Sequence, residues 1–163
     1  MSAVTKRISQ LGFTLIELMV VIAIIGLLMA AGLVSYTSAQ KNARDAKREA
    51  DIDAVGKAME QYNGANSTYP VMTYTASFTT ANLTTAGITT AYLPAGAPTD
   101  PRNTGLNIYT IASTATGFCT CAGLENLGRG NATAAAPTTG AAVCSFGTPA
   151  AGAQGYYCVQ NQQ

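Results

Sequence analysis

The stretch from Phe13 to Val34, FTLIELMVVIAIIGLLMAAGLV, holds 22 residues and one ionisable side chain, and no other feature limits the possible folds as sharply. At about 1.5 Å per residue a helix of this length reaches roughly 33 Å, enough to cross the hydrocarbon core of a bilayer. Ahead of it lies MSAVTKRISQLG, in which Lys6 and Arg7 would hold the extreme N-terminus in the cytoplasm by the positive-inside rule. The rest of the chain would then face an oxidising compartment. A conventional secretory signal also has a basic start and small residues after its core, here Ala30, Ala31 and Gly32. Against that reading, the apolar run exceeds the roughly 7 to 15 residues of a signal core, and Glu17 stands within its first turn. A charge inside the bilayer costs about 2.5 to 3.5 kcal/mol on insertion scales, so an acid there calls for a function.

Gly12-Phe13-Thr14-Leu15-Ile16-Glu17, followed by the apolar run, resembles the prepilin-peptidase site of type IV pilins and type II secretion pseudopilins. The resemblance implies that residues 1–12 are a leader removed by prepilin peptidase after Gly12, that the new N-terminal Phe13 is N-methylated, and that Glu17 acts in assembly. It further implies a subunit held in the inner membrane by a single span, with its head outside the cytoplasm. The pilus assembly machinery would then bring it into an extracellular or periplasmic filament with other pilin subunits. Simple electrostatics agrees. Cleavage leaves a cationic amine on Phe13, and Glu17 is the one carboxylate at its depth in a low-dielectric bundle, so an amine from a neighbouring subunit is its natural partner. Removing one member of a buried pair costs about 3 to 5 kcal/mol because the survivor is left uncompensated. Many family members carry a proline late in the apolar helix, where this chain reads Gly32-Leu33-Val34. Gly26 and Gly32, each about 1 kcal/mol less favourable than Ala in a helix, are the positions that would loosen it or allow close packing. The alternative to a filament subunit is a single-pass anchor that displays a small binding domain and never polymerises. Processing between Gly12 and Phe13 separates the two.

Residues 13–34 are thus expected as the transmembrane and polymerisation helix, 35–64 as its amphipathic continuation and 65–163 as a globular head. No proline interrupts the continuation, and Ile52, Val55, Met59 and Tyr62 recur at spacings of 3, 4 and 3, which marks one apolar face. Lys41, Arg44, Asp45, Lys47, Arg48 and Glu49 are read as a solvated face, with Asp45 opposite Arg48 at i+3. The helix is expected to stop near Gly64, because glycine ends helices and Asn66-Ser67-Thr68-Tyr69-Pro70 follows.

In the head, residues 71–107 read as a long Thr-rich connector. Within it Leu93-Pro94, Pro98-Thr99-Asp100-Pro101-Arg102 and Tyr109 are loosely similar to elements of major pseudopilins. Some of those relatives bind calcium, but calcium takes six to eight oxygens and Asp100 is the only carboxylate nearby, so no metal is expected. Alternation in 107–113 and 118–124, separated by Thr114-Ala115-Thr116-Gly117, predicts a β-hairpin, and 156–159 a further strand. The helix stripe needs an apolar partner, so the fold class is α+β: a pilin-like long helix on a small antiparallel sheet covered on one face.

Residues 128–155 read as a Gly/Ala/Thr/Pro-rich loop that needs a tie. The four cysteines, Cys119, Cys121, Cys144 and Cys158, supply it: an even number in an exported segment predicts two disulfides. A zinc site is disfavoured by the C-x-C spacing and the absence of histidine. Cys119 and Cys121 share a face of one strand with Cα atoms roughly 6.5 to 7 Å apart, at the edge of disulfide reach. That rejects their mutual pairing and leaves Cys144 and Cys158 each to take one of them.

Asn66-Ser67-Thr68, Asn82-Leu83-Thr84 and Asn131-Ala132-Thr133 fit the glycosylation tripeptide, a pattern common by chance in a Thr-rich chain. Nine Lys or Arg against eight Asp or Glu give a net charge of +1, so there is no strong nucleic-acid signal. With no histidine, no phosphate loop and no paired carboxylates in the head, neither an enzyme nor a cofactor is expected.

Overall fold

The computed structural model describes residues 12–161 apart from Ser77, Thr89 and 136–141. The expected leader, with Lys6 and Arg7, lies outside the described residues except for Gly12. One helix, α1, covers Leu15–Asn66, and the chain divides into two units, Met1–Ala39 and Gln40–Gln163.

In the first unit every side chain whose burial is described is exposed. The bare surface is Leu, Ile, Val and Met, from Leu15 at 76% exposure through Leu33 at 66%. Part of α1 is long and apolar enough to cross a membrane.

In the second unit the chain continues from α1 into β1 (Met72–Ala76), α2 (Thr80–Thr85), β2 (Tyr109–Thr114), β3 (Gly117–Gly123) and β4 (Tyr156–Gln160). The strands form one antiparallel sheet in the order β1-β2-β3-β4. This is the expected α+β, pilin-like architecture. Ile52, Val55 and Met59 of α1 pack on Tyr109 and Ile111 of β2 and on Phe118 and Ala122 of β3, with Tyr69, Phe78, Leu83, Ile88 and Leu93 closing the rim. Burying each such large apolar side chain contributes about 1.5 to 3 kcal/mol, so this seam dominates the head's stability. Three tyrosines fix its register by donating to carboxylates of the helix: Tyr109 to Asp51 (2.7 Å), Tyr157 to Asp53 (2.9 Å) and Tyr69 to Glu60 (2.9 Å). Burial first, and then the neighbouring carboxylate, pushes the Tyr69 and Tyr157 hydroxyls up to about 12.

The predicted hairpin is present, with Thr114 opposite Gly117 across a two-residue turn, and so is the last strand. Four features differ from the sequence reading. The helix runs through Gly64 to Asn66. It ends there because Ser67, at φ 58°, takes the left-handed position, its N–H donates to the Asn63 carbonyl (2.7 Å), and the Asn66 amide donates to the Tyr62 carbonyl (2.9 Å). The connector holds two elements, β1 and α2. The latter is started by a capping box in which the Thr79 hydroxyl accepts from the Asn82 N–H (3.4 Å) and the Asn82 side chain accepts from the Thr79 N–H (2.9 Å).

Third, the sheet is not covered on one face only. Every residue of β3 is buried, because Cys119 and Cys121, on the face away from α1, lie under Ala132 and Cys144 of the following loop. Lastly, Asp45 and Arg48 are not solvated: they are 3% and 0% exposed.

Candidate functional site

Two constellations carry the chemistry. The first is the start of α1. Phe13 is 92% exposed, and a Cβ on Gly12 would meet nothing within 4 Å. Thr14 is the residue before the helix. Its hydroxyl accepts from the Glu17 N–H (3.3 Å), while the Glu17 carboxylate accepts from the Thr14 N–H (2.8 Å) and from its hydroxyl (2.7 Å). This is a capping box, which satisfies backbone donors that the first turn leaves open. Sequence reading treated Glu17 as an acid awaiting another chain's amine; the structure adds a partner in its own turn. The signal was there in T-x-x-E ahead of an apolar run.

The second constellation is a buried ion cluster that holds the loops of the head to the helix. Arg48 forks onto Asp100, with Nε to Oδ2 at 2.6 Å and Nη2 to Oδ1 at 3.0 Å. Its Nη1 reaches Asp45 (2.7 Å) and Glu125 (2.9 Å). Glu125 also receives both arms of Arg44, at 2.6 and 2.7 Å. Asp45 accepts from the backbone N–H groups of Glu125 (2.9 Å) and Asn126 (3.0 Å), and Asp100 from those of Arg102 (2.8 Å) and Asn103 (3.0 Å). Such buried charges persist only when paired and fully hydrogen-bonded. No buried side-chain nitrogen or oxygen among the described residues lacks a partner.

The pairing holds the cluster ionised. Burial opposes charge on Arg48 and Asp100, but the hydrogen bonds win, raising the guanidinium and lowering the carboxyl. The Arg44 fork chiefly brings Glu125 down to about 2 from 4.5. A depressed carboxyl contributes stability above its unfolded value and loses it on protonation in the fold. Glu125 should therefore contribute roughly 3 kcal/mol above about pH 5, lost between pH 4.5 and about 2. Denaturant unfolding across that range checks this, and Glu125→Gln should flatten the profile. Asp100 is thereby engaged by Arg48 and by the backbone amides of Arg102 and Asn103.

The cysteines join as Cys119–Cys144 and Cys121–Cys158. The loop lies along the outer edge of β4. The Asn131 side chain accepts from the Cys158 N–H (2.8 Å) and donates to the Cys158 carbonyl (2.9 Å), as a neighbouring strand would. Ala132 pairs with Tyr156. The edge is thus covered, which protects it from pairing with another chain. At Gly155 a Cβ would collide with the Arg129 carbonyl, so the close return of the loop to β4 requires glycine there.

Residues 7–33 match the family model described as the prokaryotic N-terminal methylation motif. Over 65 residues the chain is 38% identical to type II secretion system core protein G of Pseudomonas aeruginosa, 40% to that of Klebsiella michiganensis and 37% to that of Vibrio cholerae. Each match takes in 40% of this chain and 46%, 46% and 44% of the relatives, so the chain spans less than half the length of the curated proteins it matches. No solved structure matches. A methylation motif opening an apolar helix, similarity to core protein G over 65 residues and a helix packed on a small antiparallel sheet are the features in which the chain is similar to type IV pilins and type II secretion pseudopilins.

Proposed function

We propose that the chain is a structural subunit of a type IV pilus-like filament, held in the inner membrane by residues 13–34 and later packed among like helices. The observation that carries this reading is the bare apolar surface that follows Phe13, with one carboxylate in its first turn. Leaving such a surface in water costs about 25 cal/mol per Å². Lipid and neighbouring helices are the two environments that cover it, first one and then the other.

Gly12 supports a processing step. The fold makes no demand for glycine there, since a Cβ would enter open space. The demand then comes from a partner that must approach the backbone closely, as a prepilin peptidase cutting between Gly12 and Phe13 does. The methylation motif matched over residues 7–33 supports N-methylation of Phe13 in this reading. Core protein G is named for type II secretion, and a secretion pseudopilus is accordingly one form the filament takes in this reading; a surface pilus is the other. The partners are the peptidase, the assembly machinery and other subunits. In this reading the role is mechanical, and the head's clustered carboxylates serve to pair with Arg44 and Arg48.

Mass spectrometry of the mature N-terminus tests it. The expected chain begins at Phe13 with one added methyl group, and Gly12→Asp leaves the precursor uncut. An exported chain that retains residues 1–12 overturns the reading in favour of a single-pass anchor that does not polymerise.

A further inference from the structure

The face of the sheet turned away from α1 gathers all four sulfurs at one point. Cys119 and Cys121 lie two apart on β3, Cys158 stands directly opposite Cys121 on β4, and Cys144 comes in from the loop. The Sγ atoms all lie within 4.8 Å of one another, all four residues are buried, and the sulfurs of Cys119 and Cys121, which belong to different disulfides, are 3.6 Å apart.

We propose that in the reduced chain these four sulfurs form a tetrathiolate site for one zinc ion, so that the cluster has two exclusive states, bridged or metal-bound. With Zn–S bonds of about 2.3 Å, a tetrahedral site needs sulfurs roughly 3.8 Å apart. The Cys119 and Cys121 sulfurs already have that separation. Cys121 and Cys158 stand opposite each other with Cα atoms 4.1 Å apart, and once the bridge is reduced side-chain rotation can open their sulfurs to that spacing. Cys144 is placed from the side, its N–H donating to the Gln160 side chain (3.2 Å). The unusual C-x-C spacing, which speaks against zinc along the sequence, is offset in space because the ligands arrive from two strands and a loop.

The chemistry balances without an oxidant on entry from the nascent chain. Four thiols lose four protons and bind one cation, and no electron moves. Entry from the bridged state needs two electrons for each disulfide, supplied by a dithiol that ends as a cyclic disulfide. In the reverse direction the formation of each bridge passes two electrons to a cyclic disulfide, which leaves as a dithiol, and with both bridges re-formed the ion is released. In this scheme the ion gathers the sulfurs before the bridges form.

Cobalt(II) is the probe, added to the full-length chain in detergent after reduction with a phosphine and anaerobic desalting. The expected result is one equivalent bound, with the visible ligand-field bands of a tetrahedral thiolate site that vanish when zinc is added. The oxidised chain should give none. Cys121→Ser and Cys158→Ser should each weaken zinc binding by roughly tenfold or more. Protection of all four thiols from alkylation by saturating zinc gives a second readout that does not depend on the reduced head keeping its fold. Absence of the bands, undiminished binding in both serine variants, or full alkylation in the presence of zinc would each overturn the proposal.

Discussion

Arg48→Ala should destabilise the head by about 3 to 5 kcal/mol, a large part of the roughly 5 to 15 kcal/mol that a folded domain has in total. The residue is fully buried, and its guanidinium touches Asp45, Asp100 and Glu125. Deleting it leaves Asp100, whose side chain is 0% exposed, with no cation from the helix, while Arg44 still serves Glu125. Arg48→Lys should recover little, because an ammonium cannot reproduce the two-armed contact with Asp100. Lys47→Ala, one residue away on the exposed side, should stay within about 0.5 kcal/mol of the parent. Thermal or denaturant unfolding of the full chain in detergent measures all three. In a double-mutant cycle, Arg48→Met with Asp100→Leu should be less harmful than the two single changes added together, since the pair removes both charges at once. Equal stability of Arg48→Ala and the parent would show that the cluster carries no net coupling.

The sequence reading misplaced this cluster for a definite reason. Asp45 and Arg48 precede Ile52, Val55 and Met59 at the same alternation of 3 and 4 that marks the buried stripe, so their side of the helix was legible. Their burial was not, because the groups that make it tolerable lie far along the chain: Asp100 is 52 residues from Arg48, and the amides of Glu125 and Asn126 are 80 and 81 from Asp45. Charges on an extrapolated apolar stripe read as a solvated edge unless those partners are known. The connector failed in the same way. β1 pairs only with β2 and shifts register between Met72 and Thr75, and α2 lasts six residues, so both are held by tertiary contacts more than by local propensity. Local signals did succeed where they are strong: the apolar run, the helix stripe, the hairpin alternation around Thr114 to Gly117, and the strand geometry that separates Cys119 from Cys121.

At the other end of the chain, Glu17→Ala should leave membrane insertion intact or improved, since it removes a cost of about 2.5 to 3.5 kcal/mol, yet cut filament assembly at least a hundredfold. That magnitude follows if each buried amine is left without its carboxylate at about 3 to 5 kcal/mol, with roughly 1.4 kcal/mol for each factor of ten. The capping box complicates a single substitution, because alanine also deprives the Thr14 N–H of its acceptor. Glu17→Gln separates the two roles. Its amide oxygen can accept from Thr14 as the carboxylate does, and glutamine is an ordinary partner in a capping box, but it carries no charge to meet an amine. The filament reading therefore expects the glutamine variant to insert normally, keep its helix start and still fail to assemble. Insertion is scored by membrane fractionation, the helix start by amide exchange at Thr14, and assembly by sheared-filament yield. Normal filaments from Glu17→Gln alongside none from Glu17→Ala would assign the residue to starting the helix rather than to joining subunits.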